Sequence, residues 1–318
     1  MGVQSAFDPH YAPSRGPQAS FAELNRDKLR ELRLSLERRK RDLDALQARL
    51  DRSPRADPLV RGVERDYGFD TAFREATKPF FQFLFDTYWR VDVTGMESVP
   101  PHGGAILIGN HSGGIPFDAT MVAFALSERR SPGRIARLLY DKFVEGLPLI
   151  ASFYRKCGGV PARYAIADEL LTRDQVVTIF PEGTLGPAKL YDQRYRLRPF
   201  ATSAARLSLK HRVPIVPFAV IGAEEIYPVI GRSTQMGKAL GVPYVPITPF
   251  FPAFGLLGLI PLPSKWTIVF GSPIYLYREA RFRGRAGRDF SAMAERLRVG
   301  VQALVDRTLA KRVSIFLG

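Results

Sequence analysis

Short apolar runs alternate with helical patterns between residues 95 and 275, and this alternation constrains the fold more than any other feature. The runs lie at 105–108, 135–140, 176–180, 214–221 and 266–270. Helical periodicity occupies 119–126, 165–172 and 200–209. The central runs are apolar throughout, which is typical of strands buried on both faces of a sheet. The sequence therefore predicts an α/β domain whose mixed, largely parallel central sheet is flanked by helices.

The N-terminal part of the chain has a different pattern, which predicts a helical extension. Ser20 and Glu23 have the spacing of a capping box, and leucines then recur every seven residues from Leu29 to Leu50. This pattern predicts an amphipathic helix over 20–52 that packs on the body or pairs with a second copy in a homodimer. The predicted regions are a disordered tail (1–19), an N-terminal helical region (20–90) and an α/β domain (91–318) that ends in a helix over 289–312.

Two further segments are apolar in a way that allows alternative interpretations. Residues 71–89 are dense in aromatic side chains and form either buried core or a surface that contacts lipid. Residues 239–264 contain no Lys, Arg, Asp or Glu, and their prolines prevent a continuous helix. This second segment is either a buried connection between strands or an apolar flap that lies among lipid headgroups or lines a channel for an acyl chain.

The chain is strongly basic, with 46 Lys and Arg against 31 Asp and Glu and a net charge of +15. Such a charge suits nucleic acid, anionic lipid headgroups or an acidic small substrate. The positive charge is concentrated at 128–163, 189–212 and 278–318. No nucleic-acid-binding module and no basic helix interleaved with stacking aromatics occurs. Net charge alone does not choose between an anionic membrane surface and a phosphorylated small molecule, and no nucleic-acid partner is expected.

Several familiar catalytic motifs are absent. The sequence has no Gly-x-Ser-x-Gly elbow, no Gly-Lys-Ser/Thr phosphate loop, no Gly-x-Gly-x-x-Gly after a strand and no His-Glu-x-x-His. The four histidines are scattered, and the single cysteine, Cys157, excludes an internal disulfide and a four-cysteine metal site. These absences argue against an α/β-hydrolase, a P-loop enzyme and a zinc protease. No metal is expected, and a reducing compartment is the simpler expectation.

Polar side chains follow two of the predicted buried strands directly. His111 comes just after the strand at 105–108, and Asp118 begins the next helix after a glycine-rich turn. A carboxylate that binds one imidazole nitrogen leaves the other available as a general base. On its own, this pattern also fits a surface histidine or a capping pair. Glu182 and Thr184 follow the strand at 176–180, and two polar loops at one sheet edge predict a site there.

Four blocks of sequence resemble the glycerolipid acyltransferase superfamily in order and spacing. They are Asn110-His111 with Asp118, Gly158 to Arg163, Phe180-Pro181-Glu182-Gly183-Thr184, and Val213 to Pro217. The resemblance covers about residues 95 to 275, and it implies an acyltransferase-like α/β domain. The Pro-Phe-Asp that ends the first block is more similar to the branch of monoacylglycerol and diacylglycerol acyltransferase-like proteins.

The resemblance implies roles for individual residues. His111 would deprotonate the acceptor hydroxyl, and Asp118 would orient His111. The acyl donor would be a thioester of CoA or an acyl carrier protein, with no further cofactor. Candidate substrate-binding residues are Asn110, Ser112, Gly113, Gly114, Arg163, Glu182, Gly183, Thr184 and Lys189. Among these, the backbone N–H groups of the Ser112-Gly113-Gly114 turn are candidate donors to the developing oxyanion.

The sequence departs from the family pattern at two positions. Six residues separate His111 from Asp118, where the family commonly has four, and Leu185 follows Thr184, where the family commonly has Arg. Both departures favour a neutral acceptor alcohol over a phosphorylated one. Basic residues that could still contact a phosphate lie close behind, at Lys189, Arg194, Arg196 and Arg198.

The leading functional prediction is a membrane-associated O-acyltransferase of lipid metabolism. It would transfer a fatty acyl group to a lysophospholipid or to mono- or diacylglycerol, on the cytoplasmic face of a membrane, as a peripheral or monotopic protein. The alternative is a protein that keeps the acyltransferase-like fold without catalysis and binds anionic membranes or polyanions.

Overall fold

The computed structural model of the protein describes residues 34–35, 37–38, 66–112, 117–279 and 289–318. The chain divides into two units, Met1–Asp57 and Pro58–Gly318. In the first unit the four described residues are helical and exposed. The predicted tail over 1–19, the rest of the predicted helix over 20–52 and its proposed dimer contact lie outside the described residues.

The second unit consists of alternating strands and helices. Its strands are β1 (Asp92–Thr94), β2 (Ala105–Gly109), β3 (Ala136–Tyr140), β4 (Val160–Pro161), β5 (Val176–Ile179), β6 (Ile215–Ile221), β7 (Gly231–Ser233), β8 (Val245–Ile247) and β9 (Thr267–Phe270). Its helices are α1 (Thr71–Phe83), α2 (Phe117–Phe124), α3 (Pro148–Lys156), α4 (Tyr164–Thr172), α5 (Ser203–His211), α6 (Thr234–Leu240) and α7 (Phe290–Leu309). The unit begins at Pro58 and so includes α1, which the sequence pattern assigns to a separate helical region over 20–90.

Within the described residues, seven strands form one sheet in the order β1-β9-β6-β2-β5-β3-β4. Every neighbouring pair is parallel except β6 and β9. In the centre, Ile108 of β2 lies opposite Ile179 of β5 and Pro217 of β6. The predicted fold, a mixed and largely parallel sheet flanked by helices, is confirmed. A small antiparallel pair of β7 and β8, which the sequence pattern does not reveal, stands apart from this sheet.

The central strands are apolar throughout because both faces of the sheet are covered. Successive side chains of a strand point to opposite faces. Ile106 and Ile108 of β2 belong to the core that also contains residues of α4, α5 and α7. Ala105 and Leu107 belong to the opposite core, which contains residues of α1 and α2. All four side chains are fully buried.

The aromatic segment over 71–89 has both buried and exposed side chains. Phe81 and Trp89 are buried, and the Trp89 ring stacks on Trp266 with centroids 4.5 Å apart. Phe80 and Phe83 of the same helix are exposed by 57% and 50%. The segment therefore fixes α1 to the core with one face and leaves aromatic side chains in contact with solvent on the other. No helix in the described ranges combines the length and apolarity that crossing a bilayer requires.

Leu107→Ala should destabilise the second unit strongly, because the side chain lies in the central strand with no exposure. We expect a loss of about 2–5 kcal/mol in the free energy of unfolding, measured by urea denaturation. The matched control is Leu149→Ala at a side chain that is 87% exposed, and it should change this free energy by less than about 0.5 kcal/mol. Equal losses for the two variants would contradict the assignment of β2 to the core.

Candidate active site

Three adjacent parallel strands, β6, β2 and β5, bring their carboxyl ends to one edge of the sheet. His111 follows β2, Glu182 follows β5, and Glu224 follows β6 in the 3-10 turn Ala223–Glu225. Open α/β sheets place their sites outside the carboxyl ends of such strands. The strand order therefore gathers an imidazole and two carboxylates that are far apart in sequence.

His111 is paired with Asp118 through its ring. The Nδ1 atom of His111 lies 2.9 Å from Oδ2 of Asp118, which is fully buried near the start of α2. Asp118 also accepts hydrogen bonds of 2.8 Å from the backbone N–H groups of Ser112 and Ala119. With this carboxylate ionised, the proton of the neutral imidazole stays on Nδ1 and the lone pair lies on Nε2. Such a ring can accept a proton from a substrate hydroxyl.

Phe180 and Glu182, which follow β5, also contact His111. The Phe180 ring stacks on the imidazole with centroids 4.1 Å apart and an angle of 20°. Oε1 of Glu182 accepts a 3.1 Å hydrogen bond from the His111 backbone N–H, and its Oε2 accepts one of 2.8 Å from the Arg198 N–H. The sequence pattern gives Phe180 no role of its own, because the pairing of β5 with β2 is what puts the two rings in contact.

A cavity of about 470 Å³ adjoins this edge of the sheet, and His111 is part of its wall. Its walls are mainly apolar and include Leu138, Val144, Ile179, Val245 and Leu259. Several of these side chains belong to the charge-free segment over 239–264. Of the interpretations open for that segment, the structure supports the lining of an apolar channel, since residues from Val242 to Leu259 face the cavity.

The predicted site residues fall into three groups. His111, Arg163, Gly183 and Thr184 line the cavity. A second group is buried behind the cavity wall and comprises Asn110, Ser112, Asp118, Glu182 and Lys189. The third group, Gly113 and Gly114, lies outside the described residues. Among the residues that are described, no cluster of His, Cys, Asp or Glu is arranged to hold a metal ion.

Two predicted substrate contacts are corrected by the structure. Lys189 is 4% exposed, and its Nζ lies 3.0 Å from Oε1 of Glu224 and 3.5 Å from Oε2 of Glu182. Asn110 is fully buried and exchanges hydrogen bonds with the backbone of Val220. Both side chains are used inside the protein, so neither reaches a substrate in the cavity. Their sequence context gives no sign of this, because Val220 and Glu224 belong to β6 and the turn that follows it.

The buried polar groups carry two further consequences. Ser112 is excluded as an oxyanion donor because its N–H already binds Asp118. Burial raises the pKa of the Glu224 carboxyl, while the charge of Lys189 and the N–H of Tyr195 act in the opposite direction. Glu224 has no assigned role in the sequence pattern, and only the structure reveals it as part of this cluster.

Comparison with known proteins identifies the family. A family model described as Acyltransferase matches residues 90–221, which contain strands β1 to β6 and the His111 site. A 1-acyl-sn-glycerol-3-phosphate acyltransferase alpha of Homo sapiens is 26% identical over 213 residues, which is 63% of this chain and 68% of the human protein. The chain belongs to the glycerolipid acyltransferase superfamily. The resemblance seen in the four sequence blocks is thereby confirmed.

This acyltransferase has more similar relatives among mycobacterial proteins. An uncharacterised protein of Mycobacterium leprae is 37% identical over 255 residues, covering 80% of this chain and 70% of its own length. An uncharacterised protein of Mycobacterium tuberculosis is also 37% identical over 255 residues, covering 80% of this chain and 71% of its own length. The crystal structure of the 1-acyl-sn-glycerophosphate acyltransferase PlsC from Thermotoga maritima superposes with a TM-score of 0.46 at 16% identity, over 75% of this chain and 84% of that one.

Proposed function

We propose that this acyltransferase moves a fatty acyl group from an acyl thioester to a glycerolipid hydroxyl, with His111 as the general base. The observation that carries the proposal is the position of the imidazole. Its Nδ1 is held by the buried Asp118 while the ring forms part of the wall of an apolar cavity. A base fixed in this way beside an apolar cavity can meet an acceptor hydroxyl and a lipid acyl chain together.

The proposed reaction is a direct transfer between two bound substrates. Nε2 of His111 takes the proton of the acceptor hydroxyl as its oxygen bonds to the thioester carbonyl carbon. The tetrahedral intermediate then releases the thiolate as the carbon–sulfur bond breaks, and the imidazolium returns the proton to sulfur. Asp118 stabilises the imidazolium during this interval. Cys157 is not used: burial raises the pKa of its thiol, and its side chain is not among the described cavity walls.

The cavity is suited to the acyl chain of the donor. Its described walls are dominated by aliphatic and aromatic side chains from β3, α4 and the charge-free segment. Burying an acyl chain there removes its methylene groups from water, at roughly 0.8 kcal/mol for each group. The polar reacting end of the thioester would then lie at the sheet edge, beside His111.

We further propose that the acceptor is a neutral glycerolipid, such as mono- or diacylglycerol. Arg163 is the one Lys or Arg among the described cavity-lining residues, and its guanidinium donates to both carboxylate oxygens of Glu145 at 3.0 and 2.9 Å. Lys189 is enclosed by two carboxylates, and Leu185 stands where the family commonly has Arg. A phosphate group would therefore find few available cations. The human relative, by its name, acts on a phosphorylated acceptor.

The rim of the cavity supports a proposal that the enzyme works at a membrane surface. Exposed apolar side chains occur at Leu149 and Phe153 on α3 and at Phe254 and Leu257 in the charge-free segment. The turn before α3 and the charge-free segment also supply cavity walls. Exposed apolar groups around a lipid-sized cavity are typical of a surface that contacts a bilayer.

His111→Ala should reduce acyl transfer by roughly 10²- to 10⁴-fold, because the acceptor hydroxyl loses its base. The release of free thiol from acyl-CoA, measured with a pool of glycerolipid acceptors, gives the rate. His211→Ala is a matched control: His211 also pairs with a carboxylate, Asp168, at 2.7 Å, but it precedes β6 at the opposite edge of the sheet. A His111→Ala enzyme with wild-type turnover would overturn the proposed mechanism.

The acceptor proposal can be tested with equimolar diacylglycerol, monoacylglycerol, lysophosphatidate and glycerol 3-phosphate in one mixture. We expect mass spectrometry to find acylated products of the neutral lipids, since the cavity presents few unpaired cations. Preferential acylation of lysophosphatidate or glycerol 3-phosphate would contradict the neutral acceptor and leave the proposed chemistry of His111 intact.

The double variant Leu149→Glu with Phe254→Glu should bind less to vesicles of phosphatidylcholine and phosphatidylglycerol in a sedimentation assay. Each change places a charge on the apolar rim of the cavity. The control is Val299→Glu, at an apolar side chain that is 51% exposed on α7 and is not a cavity wall. If Val299→Glu, which adds one charge instead of two, weakened vesicle binding as much as the double variant, the proposed membrane surface would be wrong.

A further inference from the structure

A chain of buried ionic contacts connects the ends of the three strands that form the site. Oε1 of Glu224 lies 3.0 Å from Nζ of Lys189, and the same Nζ lies 3.5 Å from Oε2 of Glu182. The three side chains are exposed by no more than 4%. Glu224 follows β6 and Glu182 follows β5, while Lys189 lies in the loop between β5 and α5. We call these three residues the Glu224–Lys189–Glu182 relay.

The relay contacts two consecutive residues after β2, the side chain of Asn110 and the backbone of His111. Glu182 accepts the hydrogen bond of the His111 N–H at 3.1 Å. Glu224 accepts a hydrogen bond of 3.3 Å from Nδ2 of Asn110, whose side chain also bonds to both backbone groups of Val220 in β6. The residue before His111 and His111 itself are thus both attached to the relay.

We propose that Lys189 and Glu224 are positioning residues that act on the reaction through His111. This inference rests on the proposed function, in which the imidazole is the base. Neither side chain touches the cavity, so neither is expected to contact the donor or the acceptor. Their role is to hold the Glu182 carboxylate in place, and thereby to hold the backbone from which the imidazole projects.

The argument depends on what Glu182 needs in order to bind two N–H groups. One of its carboxylate oxygens accepts from His111 and the other accepts from Arg198. A protonated carboxyl has a hydroxyl in place of one acceptor, so it would lose one of these two hydrogen bonds. A buried carboxylate needs an opposite charge and hydrogen bonds to compensate its lost hydration. Lys189 supplies that charge, with its Nζ 3.5 Å from Oε2 of Glu182.

Glu224 is needed because it fixes Lys189. Its second oxygen, Oε2, accepts a 3.0 Å hydrogen bond from the Tyr195 N–H, which holds the carboxylate between the loop and the end of β6. The amide of a Gln at 224 carries one acceptor oxygen instead of two. It would therefore leave either the Tyr195 N–H or the Lys189 ammonium without an acceptor. In both cases the ammonium loses the negative charge that fixes it beside Glu182.

Glu225, the residue after Glu224, provides a control for the effect of losing a buried ion pair. Glu225 lies in the same 3-10 turn as Glu224, and its Oε2 is 2.5 Å from Nη1 of Arg312. Its side chain is also almost fully buried. No hydrogen bond joins it to Asn110, His111 or Glu182 within the described residues. Glu225→Gln therefore removes a comparable buried ion pair without touching the relay.

The experiment compares Glu224→Gln, Lys189→Met and Glu225→Gln in the full-length enzyme, using thiol release from acyl-CoA with the preferred acceptor. We expect kcat to fall on the order of 100-fold in Glu224→Gln and Lys189→Met, because a displacement of the base of about 1 Å has that effect. KM should stay near the wild-type value, since substrate contacts are unchanged. Glu225→Gln should keep the wild-type kcat.

Thermal unfolding of each variant separates positioning from stability. If Glu225→Gln lowers both the unfolding temperature and kcat as much as Glu224→Gln does, the relay is only structural and the inference is wrong. A wild-type kcat in Glu224→Gln also overturns it. Should Lys189→Met not fold, the isosteric Glu224→Gln alone decides. If the wild-type enzyme does not release thiol, or if His111→Ala releases it at the wild-type rate, the proposed function fails instead.

Discussion

Parallel pairing of β2 with β5 on one side and β6 on the other is the constraint on which the rest of the structure depends. These three apolar strands lie in the middle of the sheet, where β2 bonds to the other two through its backbone. Helices cover both faces of the sheet there. Once they are paired, their carboxyl ends lie side by side. His111, the Glu182 carboxylate that accepts its backbone N–H and the Glu224 carboxylate beside Lys189 are then neighbours, although 71 positions separate His111 from Glu182.

This arrangement places several ionisable groups where water is excluded. Asp118, Glu182 and Glu224 would be unfavourable at such depth without compensation, because each loses its hydration. The structure compensates them with backbone N–H groups and with the ammonium of Lys189. The same compensation makes the site rigid: each carboxylate bridges two or more segments, so a shift of one loop breaks hydrogen bonds in another. Rigid placement of the base is what a proton transfer from a bound hydroxyl requires.

The polar edge of the sheet borders an apolar cavity, and the contrast between them suits the chemistry of lipids. The donor has an apolar chain and a polar reacting carbonyl, and the two regions provide an environment for each part. Both α3 and the charge-free segment supply cavity walls and also carry exposed apolar side chains, on which the proposed membrane contact rests.

The sequence by itself determined the α/β fold, the family and the two loops that carry the site. Strand and helix periodicities are local properties, and the His111 and Glu182 blocks follow predicted strands directly. It also allowed two interpretations of residues 71–89, buried core or lipid-contacting surface, and in the structure the segment has a buried and an exposed face.

Only the tertiary structure decided which polar residues face a substrate and which support the site. Lys189 comes shortly after the third block of sequence. The sequence does not distinguish it from a surface lysine that could bind a phosphate. Its partner Glu182 lies in the same loop, but Glu224 follows another strand, and 35 positions separate Lys189 from Glu224. The stacking of Phe180 on His111 has the same origin. Such contacts depend on the order of strands in the sheet, which no local pattern encodes, because hydrogen bonding between strands joins segments regardless of their distance along the chain.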